Sequence, residues 1–413
     1  MQIRHIRRFL KGTCLRSTAM FVALRRNYSG PAGPAVSFEK LYDANGDYSV
    51  SSGMFQPSSA GGFYFHSFTA CEEQLTHFHL RPQGAYLASV LAETKTGGID
   101  IQSREVISSM VSLFLDKHGN HPLYSDNLMQ TSWTAVGISN AMKRIVAFTL
   151  ARTSSYTGTA SPLPFQRTVS SVGGGISSGL DSFTAPQTGI YLFSVSMNTY
   201  TNKPFQAALM RGSSQLFRFG RSSTAHKRDT LSRTIMIQLS AGERIYVNLY
   251  NSNTMIYSGS NKYEQVSFSG FLYDPLHKAP IAWSLGKNTS VNDVRGLRAV
   301  LSYEKVVLNQ GGAWNGTASA IVAPLSGFYY VHLSAGALAR KPVHLYLDIN
   351  GQPFVDLWRS VGWQDGVDHL SRSALLRLKS GDKVQITAAR GTGVYSDSGL
   401  QTAFCGFLAY RES

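Results

Sequence analysis

The stretch PLYSDNLMQTSWTAVGIS, Pro122 to Ser139, returns near the end of the chain as GVYSDSGLQTAFCGFLAY, Gly393 to Tyr410. Each copy carries Tyr-Ser-Asp, then Gln-Thr, then an aromatic residue that opens an apolar run. Tyr, Ser and Asp side by side invite a catalytic reading. The local pattern favours a different one, because Ser and Asp in a short polar stretch make turns and the apolar run after them reads as a strand. A turn and a core strand written twice, about 270 residues apart, mark duplicated domains.

Other marks keep the same order at offsets of about 135–138 residues. IVAFTLART (Ile145–Thr153) is echoed by PIAWSLGKNT (Pro280–Thr289), and FTAPQTGIYLFS (Phe183–Ser194) by IVAPLSGFYYVH (Ile321–His332). LSAGERIYVNL (Leu239–Leu249) is echoed by LKSGDKVQITA (Leu378–Ala388). YSGSNKYEQVSFSGFLY, from Tyr257, is the middle version of the quoted stretch, with Ser-Gly where the others have Ser-Asp. So long a period denotes whole domains rather than solenoid repeats. A third copy precedes these two: VSFEKLYDANGD (Val36–Asp47) parallels LSYEKVVLNQGG (Leu301–Gly312), and FQPSSAGGFYFHSF (Phe55–Phe68) parallels the Ala-Pro…Gly block. It reads as trimmed, with no opening Ala-aromatic-hydroxyl-Leu strand and no clear Gly-Asp turn. The expected division is a basic segment at 1–35, a trimmed unit at 36–140, and full units at 141–276 and 277–413.

Within each full unit short strands alternate apolar and smaller residues, as at Tyr191, Phe193 and Val195 or Ile245, Val247 and Leu249. Gly-Glu at 242–243 and Gly-Asp at 381–382 mark tight turns. Long helical periodicity is absent. The expected fold is all-β, a series of tandem jelly-roll sandwiches.

Hydrophobic residues make up 43% of the 413 residues and charged ones 15%, enough to build real cores. The net charge is +15, but seven cations fall in residues 1–38, where there is no acid; the rest of the chain carries +8. That is a modest excess, and no nucleic-acid module stands out, so nucleic acid is not an expected partner. Three cysteines, Cys14, Cys71 and Cys405, make no disulfide framework or zinc spacing. The Arg-rich, acid-free start reads on composition as a mitochondrial-type presequence. No run reaches the roughly 18 apolar residues of a membrane span.

The sequence holds no G-x-S-x-G, phosphate loop or H-E-x-x-H, and an enzyme is not expected. GGGISSG (Gly173–Gly179) lacks dinucleotide spacing and reads as a loop. His77 and His79 share one face of a strand, but no third metal ligand is evident nearby. The stretch from Met210 to Arg233 concentrates Arg211, Arg218, Arg221, Lys227 and Arg228, whereas the matching part of the third unit offers Trp358 and Trp363 with Asp356, Asp365 and Asp368. These are the candidate ligand-binding residues, for anionic surfaces on one side and sugars on the other. Alternatively the two stretches face each other across an intramolecular interface, or are solvated loops. Asn288 and Asn315 head glycosylation sequons, as does Asn27.

Taken together the marks resemble the globular head domain of complement C1q, within the C1q and tumour-necrosis-factor superfamily. The second unit carries Phe183, Gly189, Tyr191, Phe193, Phe268, Gly270 and Phe271, and the third carries Gly327, Tyr329, Tyr395, Gly406 and Phe407, at the family's structural positions. The resemblance implies an extracellular, non-enzymatic recognition protein that binds protein or glycan ligands through loops. The alternative is a structural protein whose heads drive oligomerisation. It leaves room for calcium, with no site mapped. In the family such faces pack between the subunits of a trimer, so three heads on one chain suggest a pseudo-threefold within a single polypeptide.

Overall fold

The computed structural model describes residues 18–31, 35–57, 62–72, 76–82, 87–92, 100–109, 112–118, 122–138, 145–199, 203–221, 230–251, 253–258, 266–275, 280–360 and 368–412. Among these every regular element is a β-strand, and every ladder is antiparallel. The expected all-β jelly-roll fold is present.

Three inner sheets share one strand order. In the second unit it runs Arg167–Val172, Ala147–Arg152, Val266–Tyr273, Gly189–Asn198, Thr230–Leu239. In the third it runs Lys305–Gln310, Ala282–Gly286, Ala403–Arg411, Gly327–Ala337, Asp368–Leu378. The first unit matches with Glu39–Asp43, Ala19–Ala23, Ser132–Ile138, Phe63–Glu72, Asp100–Ser108. An outer sheet closes each sandwich, for example Ser182–Thr184, Arg244–Leu249, Phe205–Arg211 and Ser214–Arg221 in the second.

The first unit therefore does possess an opening strand, contrary to the reading of a trimmed copy. Ala19–Ala23, AMFVA, is wholly buried and pairs with Ser132–Ile138, Phe21 opposite Thr134. It was hidden because it carries no hydroxyl-Leu signature and sits in a basic, acid-free run that reads as a leader.

Each family mark has a packing reason. In the second unit Phe148 stacks on Phe183 with ring centroids 4.8 Å apart, and Phe193 and Phe268 complete the cluster. A Cβ on Gly270 would lie 2.6 Å from Phe193 and 2.9 Å from Phe148; one on Gly406 would lie 2.5 Å from Trp283. Only glycine lets those rings cross the strand. Tyr191 donates to the Gln187 carbonyl at 2.7 Å, and Tyr329 repeats the bond to Leu325 at 2.7 Å. Such a full burial of one Phe is worth about 1.5–3 kcal/mol.

The central strands of the inner sheets are buried on both faces. Tyr191, Phe193, Val195 and Met197 point into their own sandwich, while Ile190 and Leu192 join the cluster shared with the other units. That second face exists because the three inner sheets pack against one another around a common axis. Phe65 of the first unit meets Phe271 of the second at 5.4 Å and Tyr330 of the third at 5.1 Å, and Phe271 meets Phe407 at 5.8 Å. The three heads form a pseudo-trimer in one chain.

Candidate functional site

Beyond this apolar layer the axis turns polar. The equivalent inward positions are Ser67, Ser194 and His332 on one set of strands, and their cross-strand partners are Glu105, Thr234 and Ser373. Glu105 is fully buried and receives hydrogen bonds from all three units: Ser67 (3.0 Å) and Ser103 (3.2 Å) of its own, Ser194 (3.0 Å) and Ser232 of the second, Ser373 (3.1 Å) of the third. His332 Nδ1 lies 3.3 Å from the same carboxylate. Burial alone would push this carboxyl up; His332 and the serine hydroxyls outweigh it and bring the pKa down to about 2.

The Tyr-Ser-Asp stretches sit at the seams between units, and the two copies share one hydrogen-bonded design. Ser125 donates to the Leu24 carbonyl (2.5 Å) and Ser396 to the Lys287 carbonyl (2.5 Å), tying the turn to the opening strand's end. Thr131 donates to Tyr124 O and Thr402 to Tyr395 O, each at 2.9 Å. Gln130 accepts from the Asp126 amide (2.8 Å), as Gln401 does from Asp397 (2.9 Å). Met129 and Leu400, just before Gln-Thr, take positive φ values of 58° and 51°. In the middle unit Ser258 keeps the bond to the opening strand, donating to Arg152 O at 2.7 Å. Asp and Gln thus shape a turn.

From this turn the units reach each other. Arg218 of the second unit pairs with Asp397 of the third at 2.6 Å, and its amide donates to Gly399 O at 2.8 Å. Burial raises the Asp397 carboxyl, but the Gly399 amide, Gln401, Tyr395 and Arg218 hold it below the usual range. At the next seam Gln130 of the first unit donates to Asp356 of the third at 3.3 Å, and Trp358 packs between Tyr124 (6.3 Å) and His344 (5.5 Å).

The expected ligand-binding residues are accordingly spread out. Arg211 is at an exposed strand end beside Glu243, 3.8 Å away. Arg218 and Trp358 belong to seams, and Arg221 is buried. Lys227, Arg228 and Trp363 lie outside the described residues. The basic stretch does face the third unit, as the interface alternative anticipated, but through Asp397 and His369, whose ring is 5.9 Å from Phe219. Asn288 and Asn315 are exposed.

Three further features emerge. A cleft of about 650 Å³ opens where the first and third units meet, walled by Tyr42, Phe328 and Tyr410 and edged by Asp43, Arg377 and Glu412. Arg377 and Glu412 pair at 2.8 Å. No sequence signal pointed to it, because its walls lie more than 280 residues apart. Second, His77 and His79 gain His118 across the strand, with the His79 and His118 rings 5.0 Å apart. Asp116 next to them is already engaged by Arg81 at 2.5 Å. Among the described residues no three His, Cys, Asp or Glu side chains are placed to hold a metal ion. Third, Cys71 and Cys405 are buried, and burial pushes the Cys405 thiol far up.

With this geometry the comparisons with known proteins agree. The C1q domain model matches residues 147–273 and again 282–409, the second and third units and more than half of the chain. The chain belongs to the C1q domain family. The first unit, through its shared strand order, is a third head of the same kind. Relatives include complement C1q tumor necrosis factor-related protein 5 of Rattus norvegicus, 27% identical over 27% of this chain and 46% of its own length. The related protein 2 of Homo sapiens is 31% identical over 28% of this chain and 40% of its length. The chain thus spans less than half of these relatives. Among solved structures, the globular domain of a zebrafish complement 1qA protein is 20% identical, with a TM-score of 0.27, covering 32% of this chain and 99% of that one. A murine APRIL structure is 18% identical, with a TM-score of 0.25, covering 31% and 99%. No helix of the described residues is long and apolar enough to cross a membrane.

Proposed function

We propose that this C1q-domain chain is a non-enzymatic, extracellular recognition protein presenting three heads as one preassembled trimer-like unit. The observation that supports recognition over assembly is the use made of the inner sheets. The faces that would drive oligomerisation into arrays are packed against each other inside the chain, around Glu105 and the Phe65–Tyr330–Phe271 layer. What the molecule offers outward is loops, the exposed end at Arg211 and the cleft at Tyr42 and Arg377. Aromatic walls with a carboxylate and a guanidinium at the rim suit a sugar or an anionic glycan. Weak contacts at several heads would reinforce one another, because the tether fixes them together.

Light scattering on the eluted full-length protein should give the mass of one chain, and glycan-array binding should fall in Arg377→Ala together with Tyr42→Ala. Large concentration-dependent assemblies without glycan binding would reverse the order of the two readings. Secretion from cultured cells, with occupied sequons at Asn288 or Asn315, is the expected route; import of a fusion of residues 1–40 into mitochondria would overturn it.

A further inference from the structure

Each inner sheet buries one arginine at the same register position: Arg104 opposite Phe68, Arg233 opposite Val195, Arg372 opposite Leu333. The neighbouring ladder confirms the equivalence, since Trp133, Phe268 and Phe404 lie opposite those same residues. None of the three arginines is more than 2% exposed. A guanidinium in such a place needs acceptors, and preferably a negative charge.

Two of them have acceptors. Arg104 Nη1 donates to Ser89 O at 3.0 Å. Arg372 donates to Asp356 Oδ1 at 3.2 Å, to the Asp356 carbonyl at 2.5 Å and to Met129 O. Arg233 differs: its Nη1, and not only its Nε as in Arg372, is buried without a hydrogen-bond partner among the described residues, and its guanidinium rests on the Phe217 ring, 4.9 Å from the centroid.

The register explains the difference. Leu347 opposite Val355 and Tyr346 opposite Asp356 correspond to Leu209 opposite Phe217 and Ala208 opposite Arg218, each followed by a bulge on the same side. The place that holds Asp356 in the third unit thus holds Arg218 in the second. Arg218 turns to Asp397 of the neighbouring unit, and among the described residues no carboxylate pairs with Arg233. Across the seam is Tyr303, whose buried phenol oxygen is also without a hydrogen-bond partner among the described residues; its ring packs on Phe404, 6.4 Å away, and the next residue, Cys405, reaches the Thr234 carbonyl beside Arg233 at 3.5 Å.

We propose that Arg233 binds a small monovalent inorganic anion, chloride under extracellular conditions, at the seam of the second and third units. The ion supplies the negative charge that Asp356 supplies to Arg372, and the Tyr303 hydroxyl is its second donor. A single charge fits because one guanidinium and one neutral phenol face it; a divalent oxyanion would bring a net negative charge into a dry seam.

Thermal melts of the full-length protein at fixed ionic strength test this, with sodium chloride or bromide exchanged against sodium gluconate, whose anion is too large for a closed seam. The melting temperature should climb with halide and saturate, as binding to the folded state alone requires. Arg233→Met should lose the halide-specific climb. So should Arg218→Asp, which rebuilds the acid found in the third unit. A bromide-soaked crystal should show an anomalous peak beside Arg233, and this reading stands even where Arg233→Met fails to fold. Equal melting in chloride and gluconate, a halide effect that persists in Arg233→Met, or a bromide crystal without that peak would each overturn the assignment.

Discussion

Replacing Glu105 by Gln keeps the side chain's shape and an acceptor oxygen but removes the charge at the centre of the axis. Its carboxyl titrates near 2 in place of the ordinary 4.5, with His332 and the serines overcoming the burial. Each tenfold change in proton affinity is about 1.4 kcal/mol, so ionised Glu105 contributes roughly 3 kcal/mol to folding. The folded-state pKa is depressed, so this contribution is present above pH 4.5 and fades as pH falls towards 2. Removing one partner of a buried pair costs about 3–5 kcal/mol, which agrees in size. Urea unfolding at pH 7, followed by the fluorescence of buried Trp133 and Trp283, should register a loss of about 3 kcal/mol for Glu105→Gln. The variant's stability should also decline less than the parent's between pH 4.5 and 2. His332→Gln should cost a similar amount, and the double variant less than the sum, with a coupling of about 1–3 kcal/mol. A loss of under about 0.5 kcal/mol for Glu105→Gln, or additive single variants, would refute the reasoning.

Ser396→Ala removes bonds to Lys287 O and from the Thr402 amide in a buried turn, and should cost about 1–3 kcal/mol by the same unfolding assay. Deleting residues 1–17 should leave a folded, soluble protein, whereas deleting residues 1–24 removes the buried strand Ala19–Ala23 and should yield aggregate on gel filtration. Gly406→Ala would drive a methyl to 2.5 Å from both Trp283 and the Tyr330 carbonyl, and should lower the melting temperature more than any surface substitution in the same unit. Asp397→Asn removes the charge from a part-buried carboxylate that pairs with Arg218 and accepts from Gly399, Gln401 and Tyr395, and should cost about 1–3 kcal/mol by the same assay, of which high salt erases only the Arg218 share.

What could be read from the sequence was local. The Ala-Pro…Gly-aromatic block, the Gly-Asp turns and the Tyr-Ser-Asp turn each hold within a few residues of chain, so their residue types show through directly. The strand at Ala19–Ala23 was not legible, because five apolar residues after a basic run look alike in a leader and in a core. The seams were not legible either, since the partners of Arg218, Asp356 and Trp358 lie more than 100 residues away in another head. Glu105 in DIQSREVIS looked like any acid on a strand; its role depends on a face that exists only after three sheets meet. The exchange of Arg218 for Asp356 was visible as letters, yet it acquires meaning only once strand register aligns the two.

A trimer made of identical chains changes its axis three residues at a time. Any substitution there is written in triplicate, and a carboxylate introduced once arrives as three facing carboxylates. Covalent linkage of the heads lifts that constraint. Ser67, Ser194 and His332 can differ at one level, a lone acid can be met by a lone histidine, and each head can drift while its neighbours stay fixed. Three heads on one chain therefore also give selection independent access to each third of the axis.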